Sequence, residues 1–137
     1  MKYKYIEGEI TSDVMFEAYG KTPQEVFENA AEAMFETICI KIKVKPKRSV
    51  KVHVEGKNLK DLFYNWLQEL IGLIDIEEMF FSKFNITKIS ETSLDAEIYG
   101  EDITPNKGET VVKAVTYFGF DLRKEKGKYI GTATLDI

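Results

Sequence analysis

The sequence predicts an α+β domain, a two-layer sandwich in which a mixed or antiparallel β-sheet carries two long helices packed on one face. Three observations predict it. Two segments carry apolar residues at helical spacing, the segments around them are rich in β-formers, and most strands cluster toward the C-terminus with short turns between them. Helices between every pair of strands would instead mark parallel β-α-β units, with longer connections than these.

The elements follow in order. Tyr3 to Gly20 reads as extended structure interrupted at Glu9, Ile10, Thr11, Ser12 and Asp13, giving two short strands or one bent strand. Thr22, Pro23 and Glu25 then supply an N-cap, a proline at the first helical position and the acidic partner of a capping box. Phe27, Ala30, Ala31, Met34, Phe35 and Ile38 continue that helix to near Cys39, with Glu25, Glu28, Glu32 and Glu36 on a face expected to meet solvent. From Ser49 to Glu55 the period changes to two, with Val50, Val52 and Val54 opposite Lys51, His53 and Glu55. Asn58 caps a second helix whose stripe runs from Leu59 through Trp66 to Ile74, ending at Asp75. Strands are expected at Phe80 to Ile89, Asp95 to Gly100, Val111 to Phe118, Phe120 to Arg123 and Tyr129 to Ile137. A loop at Thr104 to Gly108 and a hairpin turn at Glu125 to Lys128 punctuate them.

With 137 residues, nine glycines, three prolines and no change of composition along its length, the chain reads as one domain spanning residues 1–137. A net charge of -4 offers no global field for phosphates, so nucleic acid would need a local patch. One Cys and one His exclude an internal disulfide and an ordinary zinc site. No apolar run approaches the roughly 20 residues needed to cross a bilayer and no signal peptide is apparent, so a soluble, cytoplasmic protein is expected. Phosphate-binding loops, dinucleotide turns and paired CxxC or HExxH motifs are absent.

Few residues remain that could carry chemistry. Cys39, at the end of an apolar stripe, reads as buried; His53 reads as a solvated imidazole that nothing orients. Trp66 and the other aromatics read as core, and Lys41, Lys43, Lys45, Lys47, Arg48 and Lys51 as a solvated basic connector. Asp13 interrupts apolar segments, and Asp136 is the charged residue of an otherwise burial-prone run. Together with a terminal carboxylate at Ile137 they could hold a hard cation such as calcium or magnesium, although spacing alone does not bring positions 13 and 136 together.

At these residues the chain resembles the archease family. Glu9 to Val14 looks like the family's DHTADV block. Ala18 to Thr22, followed by Glu25, Phe27 to Ala31 and Ala33 to Phe35, is similar to its continuation. Trp66 to Leu70 resembles the second-helix signature, and Val112 to Tyr117 and Leu135 to Ile137 resemble the VKAVTY and terminal LDI elements. The resemblance implies a small cytoplasmic α+β accessory protein, not an enzyme, that activates the RtcB-type tRNA-splicing ligase by promoting its guanylylation and multiple turnover. It meets tRNA only indirectly. A chaperone-like binding module that modulates tRNA-processing or tRNA-modification enzymes is the alternative. The resemblance also implies a metal site at Asp13, Asp136 and Ile137, holding Ca²⁺ or else Mg²⁺ or another divalent cation, and a partner or nucleotide-phosphate contact at Lys113. No membrane partner is expected, and a homo-oligomer is compatible with the pattern. Two family histidines are replaced here, by Ile10 and Phe118.

Overall fold

A computed structural model describes residues 1–6 and 13–137, without the side chain of Phe118. The Glu9 to Ser12 part of the N-terminal block, including Ile10, lies outside the described residues, as does the Phe118 side chain. In chain order the elements are β1 (Tyr3–Ile6), β2 (Asp13–Gly20), α1 (Pro23–Ile38), β3 (Arg48–Glu55), α2 (Leu59–Glu77), β4 (Met79–Ile89), β5 (Ser93–Asp102), β6 (Ala114–Glu125) and β7 (Lys128–Asp136). Short 3-10 turns lie at Lys41–Lys43 and Pro105–Lys107.

The α+β class and the two long helices hold, and among the described residues every strand pairing is antiparallel. The strands divide into two sheets instead of one: β1-β2-β7-β6 and β3-β5-β4. The helices do not sit on one face of a single sheet, because α1 packs on β2 and on β4, and α2 on β6 and on β3. The cause lies in α1. Val26, Phe27, Ala30, Ala31, Ala33, Met34, Phe35 and Ile38 are all buried, so its apolar surface runs most of the way round and must be covered on several sides. Small residues on the core face of the larger sheet, Ala18, Gly131 and Ala133, bring the helices close; a Cβ at Gly131 would stand 2.7 Å from the Phe63 ring. Tilted aromatic pairs continue the core, with Phe27 to Phe63 at 5.0 Å and Phe35 to Phe84 at 5.1 Å between ring centroids.

Local signals explain the boundaries. Thr22 Oγ1 accepts from Glu25 N at 3.1 Å, and Asn58 Oδ1 accepts from Asp61 N at 2.9 Å, so both N-caps are made as the residues predict. Lys126 and Gly127 take φ of 52° and 76°, the pair of left-handed residues that a tight hairpin between β6 and β7 requires. Trp66 is fully buried and its indole N–H donates to Phe27 O at 3.0 Å, fastening α2 to α1. Of the glutamates of α1, Glu25 and Glu36 are exposed as expected, while Glu28 and Glu32 are half-buried, and three of the four reach across to other segments. Glu28 accepts from the Ile86 backbone N–H at 2.8 Å, Glu32 pairs with Lys2 and Lys41, and Glu36 accepts from the Tyr3 hydroxyl. What reads locally as a solvent face clamps the helix to β4, β1 and the 3-10 turn.

Candidate functional site

Asp13 opens β2 and Asp136 closes β7. The antiparallel register sets them directly opposite each other, while Asp136 is also paired across to Ala114 of β6. Val14, Phe16 and Ala18 are paired with Leu135, Ala133 and Gly131, and this set faces the helices. Alternation therefore turns Asp13 and Asp136 to the opposite, outer face. Both are half-buried, as is Ile137 beside them. Lys113 N donates to Asp136 O at 2.7 Å, which fastens the end of β7 to the segment leading into β6.

One flank of the pair is built by an irregularity. Between Thr116 and Asp121, β6 carries three more residues than the stretch of β7 it faces, a wide bulge at residues 117–120. Gly119, with φ of 69°, rests over the outer face there; a Cβ would lie 3.0 Å from Met15 Cε and 3.3 Å from Thr134 Oγ1. Beneath it, the buried Thr134 hydroxyl has no hydrogen-bond partner among the described residues.

Two carboxylates opposed across a ladder repel unless something positive intervenes. Neither Asp13 nor Asp136 takes part in an ion pair among the described residues. The available donors are hard oxygens and so suit calcium or magnesium better than a softer metal. Among the described residues no group of three His, Cys, Asp or Glu side chains gathers at one point. Further donors would be main-chain oxygens, which is the part Ile137 can supply.

Other residues of chemical interest lie elsewhere. His53 is exposed on the outer face of β3, but it is oriented, contrary to expectation: Nε2 lies 3.0 Å from Glu55 Oε2 and Nδ1 2.7 Å from Asp95 Oδ1. The hydrogen bonds to Glu55 and then Asp95 raise its pKa above the ordinary histidine value. Strand alternation shows Glu55, but Asp95 comes from the facing strand and no local pattern reveals it. Cys39 is buried as expected, and burial pushes its thiol up to about 12. The basic connector is partly paired, with Lys41 on Glu32 and Arg48 on Asp102. Lys113 is exposed and lines a cavity behind the strand ends. Tyr117, 74% exposed on the bulge, stacks on Tyr64 with centroids 4.4 Å apart, a pairing that periodicity does not signal.

A family model for the archease protein family (MTH1598/TM1083) matches residues 3–137. The chain belongs to the archease family. Relatives include the protein archease of Sulfurisphaera tokodaii, 40% identical over 140 residues and spanning 99% of each chain. That of Methanosarcina mazei is 39% identical over 142 residues, spanning 99% of this chain and 96% of its own. Among solved structures, protein 1598 of Methanobacterium thermoautotrophicum is similar with a TM-score of 0.85 and 30% identity, over 99% of both chains. An archease from Thermotoga maritima, named a possible chaperone, shares the fold with a TM-score of 0.71 at 16% identity, over 96% of both chains. Among the described residues, no helix is long and apolar enough to cross a membrane.

Proposed function

We propose that this member of the archease family activates the RtcB-type tRNA-splicing ligase, promoting guanylylation of the ligase and thereby its multiple turnover. Asp13 and Asp136, with Ile137, hold Ca²⁺ or in its place Mg²⁺ or another divalent cation. The observation that carries this is the opposed, half-buried carboxylate pair with no cationic partner among the described residues. A bound cation there supplies positive charge that draws the strand ends together. The residues of the chain do the rest: the two aspartates converge, Lys113 N holds the end of β7, and the Lys113 ammonium offers a partner or nucleotide-phosphate contact. An accessory role also suits the location of the residues best able to act as nucleophile or base, since Cys39 is buried and His53 lies on the other sheet between two carboxylates.

Such an activator need only bind the nucleotide-accepting state of the ligase better than the stalled one, because about 1.4 kcal/mol of difference shifts the balance tenfold. The test is a ligation time course with purified cognate ligase, GTP, Mn²⁺ and excess RNA ends. Product well beyond one per ligase only when the chain is present supports the proposal, and identical yields with and without it refute it. Asp13→Asn or Asp136→Asn should lower the stimulation. The exposed apolar residues Val111 and Ile103 favour a second reading, a chaperone-like module that modulates tRNA-processing or tRNA-modification enzymes. It predicts protection of client proteins that is insensitive to EDTA.

A further inference from the structure

Behind the carboxylate pair lies a half-open cavity of roughly 680 Å³, between the last turns of α2 and the segment from Ile103 to Lys113. Ile38, Phe80 and Val112 form a buried floor, Ile71 and Ile74 one wall, and Val111, 80% exposed, and Ile103, 39% exposed, the rim. That volume falls within the range of built binding sites.

The opposite wall is fixed. Glu109 N donates to Ile38 O at 2.9 Å, Thr110 N to Thr37 O at 3.2 Å and Ile40 N to Lys107 O at 2.8 Å, so residues 107–110 are stitched to the end of α1 although they form no strand. The groove is thus preformed, which lowers the ordering cost of filling it. It is also continuous with the proposed site, because Lys113 both lines the cavity and is hydrogen-bonded through its N–H to Asp136.

Charge selects the occupant. Three charged side chains line the groove, Asp75, Glu109 and Lys113; all are exposed, and none is in an ion pair among the described residues. With two carboxylates against one ammonium, the lining of this apolar trough is net negative and fits apolar side chains next to a lysine or arginine, the pattern of one face of an amphipathic segment. We infer that this groove is the docking site for such a segment of the activated ligase, which anchors there and so brings the strand ends carrying Asp13 and Asp136 to the enzyme. The inference rests on the activator proposal and adds where the partner binds and what it presents.

The test is the affinity of the purified full-length chain for the purified ligase, measured by surface plasmon resonance, with melting temperatures confirming that each variant folds. Ile103→Gln combined with Val111→Gln removes the apolar rim and should weaken binding at least about tenfold. Asp75→Lys, an exposed change that leaves the core intact, should weaken it by a similar factor and reduce its salt dependence. Ile42→Gln, at an isoleucine 94% exposed outside the groove, should bind as wild type. If the wild-type chain binds and stimulates the ligase while both groove changes leave its affinity intact, the groove is not the docking site and the activator proposal stands. If the wild-type chain neither binds nor stimulates, both fall.

Discussion

Asp136→Asn should change the melting temperature with opposite signs in the absence and presence of divalent cation. In the register Asp13 and Asp136 face each other directly, and both are half-buried. Opposed Cα atoms in such a ladder are about 5 Å apart, and carboxylates that lean away from each other remain within about 6 Å. At an effective dielectric constant of roughly 40 to 60, two unit negative charges at that distance repel by about 1 kcal/mol. For a domain of 137 residues the unfolding entropy makes 1 kcal/mol worth about 3 to 4 °C.

In EDTA and low salt, therefore, Asp136→Asn should melt about 3 °C above wild type, and at 1 M salt, where the screening length falls to about 3 Å, the difference should shrink. With Ca²⁺ at about a hundred times its dissociation constant, wild type should gain about 2.7 kcal/mol, or roughly 9 °C, while the variant gains far less. The order of the two melting temperatures then reverses. Differential scanning fluorimetry across a Ca²⁺ titration, with Mg²⁺ in parallel, measures both halves. A variant that melts below wild type in EDTA would mean that the aspartates do not repel. A wild-type protein indifferent to both cations would remove the metal site.

Three further outcomes follow from the same structure. His53 carries a raised pKa because of Glu55 and Asp95, so the stability it adds is full below its unfolded value of about 6.5 and fades as pH rises through the higher folded value. The gap in melting temperature between wild type and His53→Gln should therefore be wider near pH 5.5 than near pH 8.5, and equal gaps would contradict the paired geometry. Cys39, buried and with its thiol pushed up to about 12, should not react with a disulfide reagent near pH 8 in the native protein, yet should react promptly in guanidinium. Glu78 caps α2 with φ of 55°, so Glu78→Gly should stabilise by about 0.5–1 kcal/mol, read as a rise of about 2 to 4 °C; an unchanged or lower melting temperature would show that the cap is unstrained.

Local grammar made much of the fold legible. The caps at Thr22 and Asn58, the period-two run of β3 and the Lys126-Gly127 turn are short-range features, and each lies where the residues put it. Long-range features were less accessible. Val111 to Phe118 and Phe120 to Arg123 read as separate strands because Gly119 breaks the alternation, yet they belong to one strand with a bulge. That strand begins only at Ala114, since residues 109 and 110 are hydrogen-bonded to the end of α1. Glu28, Glu32 and Glu36 show helical spacing suited to solvent, and only the tertiary arrangement supplies Ile86, Lys41 and Tyr3 as their partners. Asp13 and Asp136 stood out as charges in apolar surroundings, but that they face each other depends on the β2–β7 register.

Four other shielded carboxylates sharpen what that pair means, although half-buried Glu77 shows that a lone carboxylate can also go without a partner among the described residues. Glu101 is buried, and it accepts from the Lys45 backbone N–H while pairing with Lys107 at 2.8 Å, which holds its carboxyl below the usual range. Glu17 sits between Lys4 and Arg123, Glu32 between Lys2 and Lys41, and Glu28 meets a backbone donor. Removing a carboxylate from water costs free energy unless a donor or cation replaces the lost hydration, and these four all have such a replacement. Asp13 and Asp136 have none among the described residues, and their nearest register neighbours are each other. A fold that needed only stability would do better with a lysine or a threonine at either position. The unfavourable pair makes physical sense once a cation completes it, which is why its response to added cation is the most direct test of the proposed site.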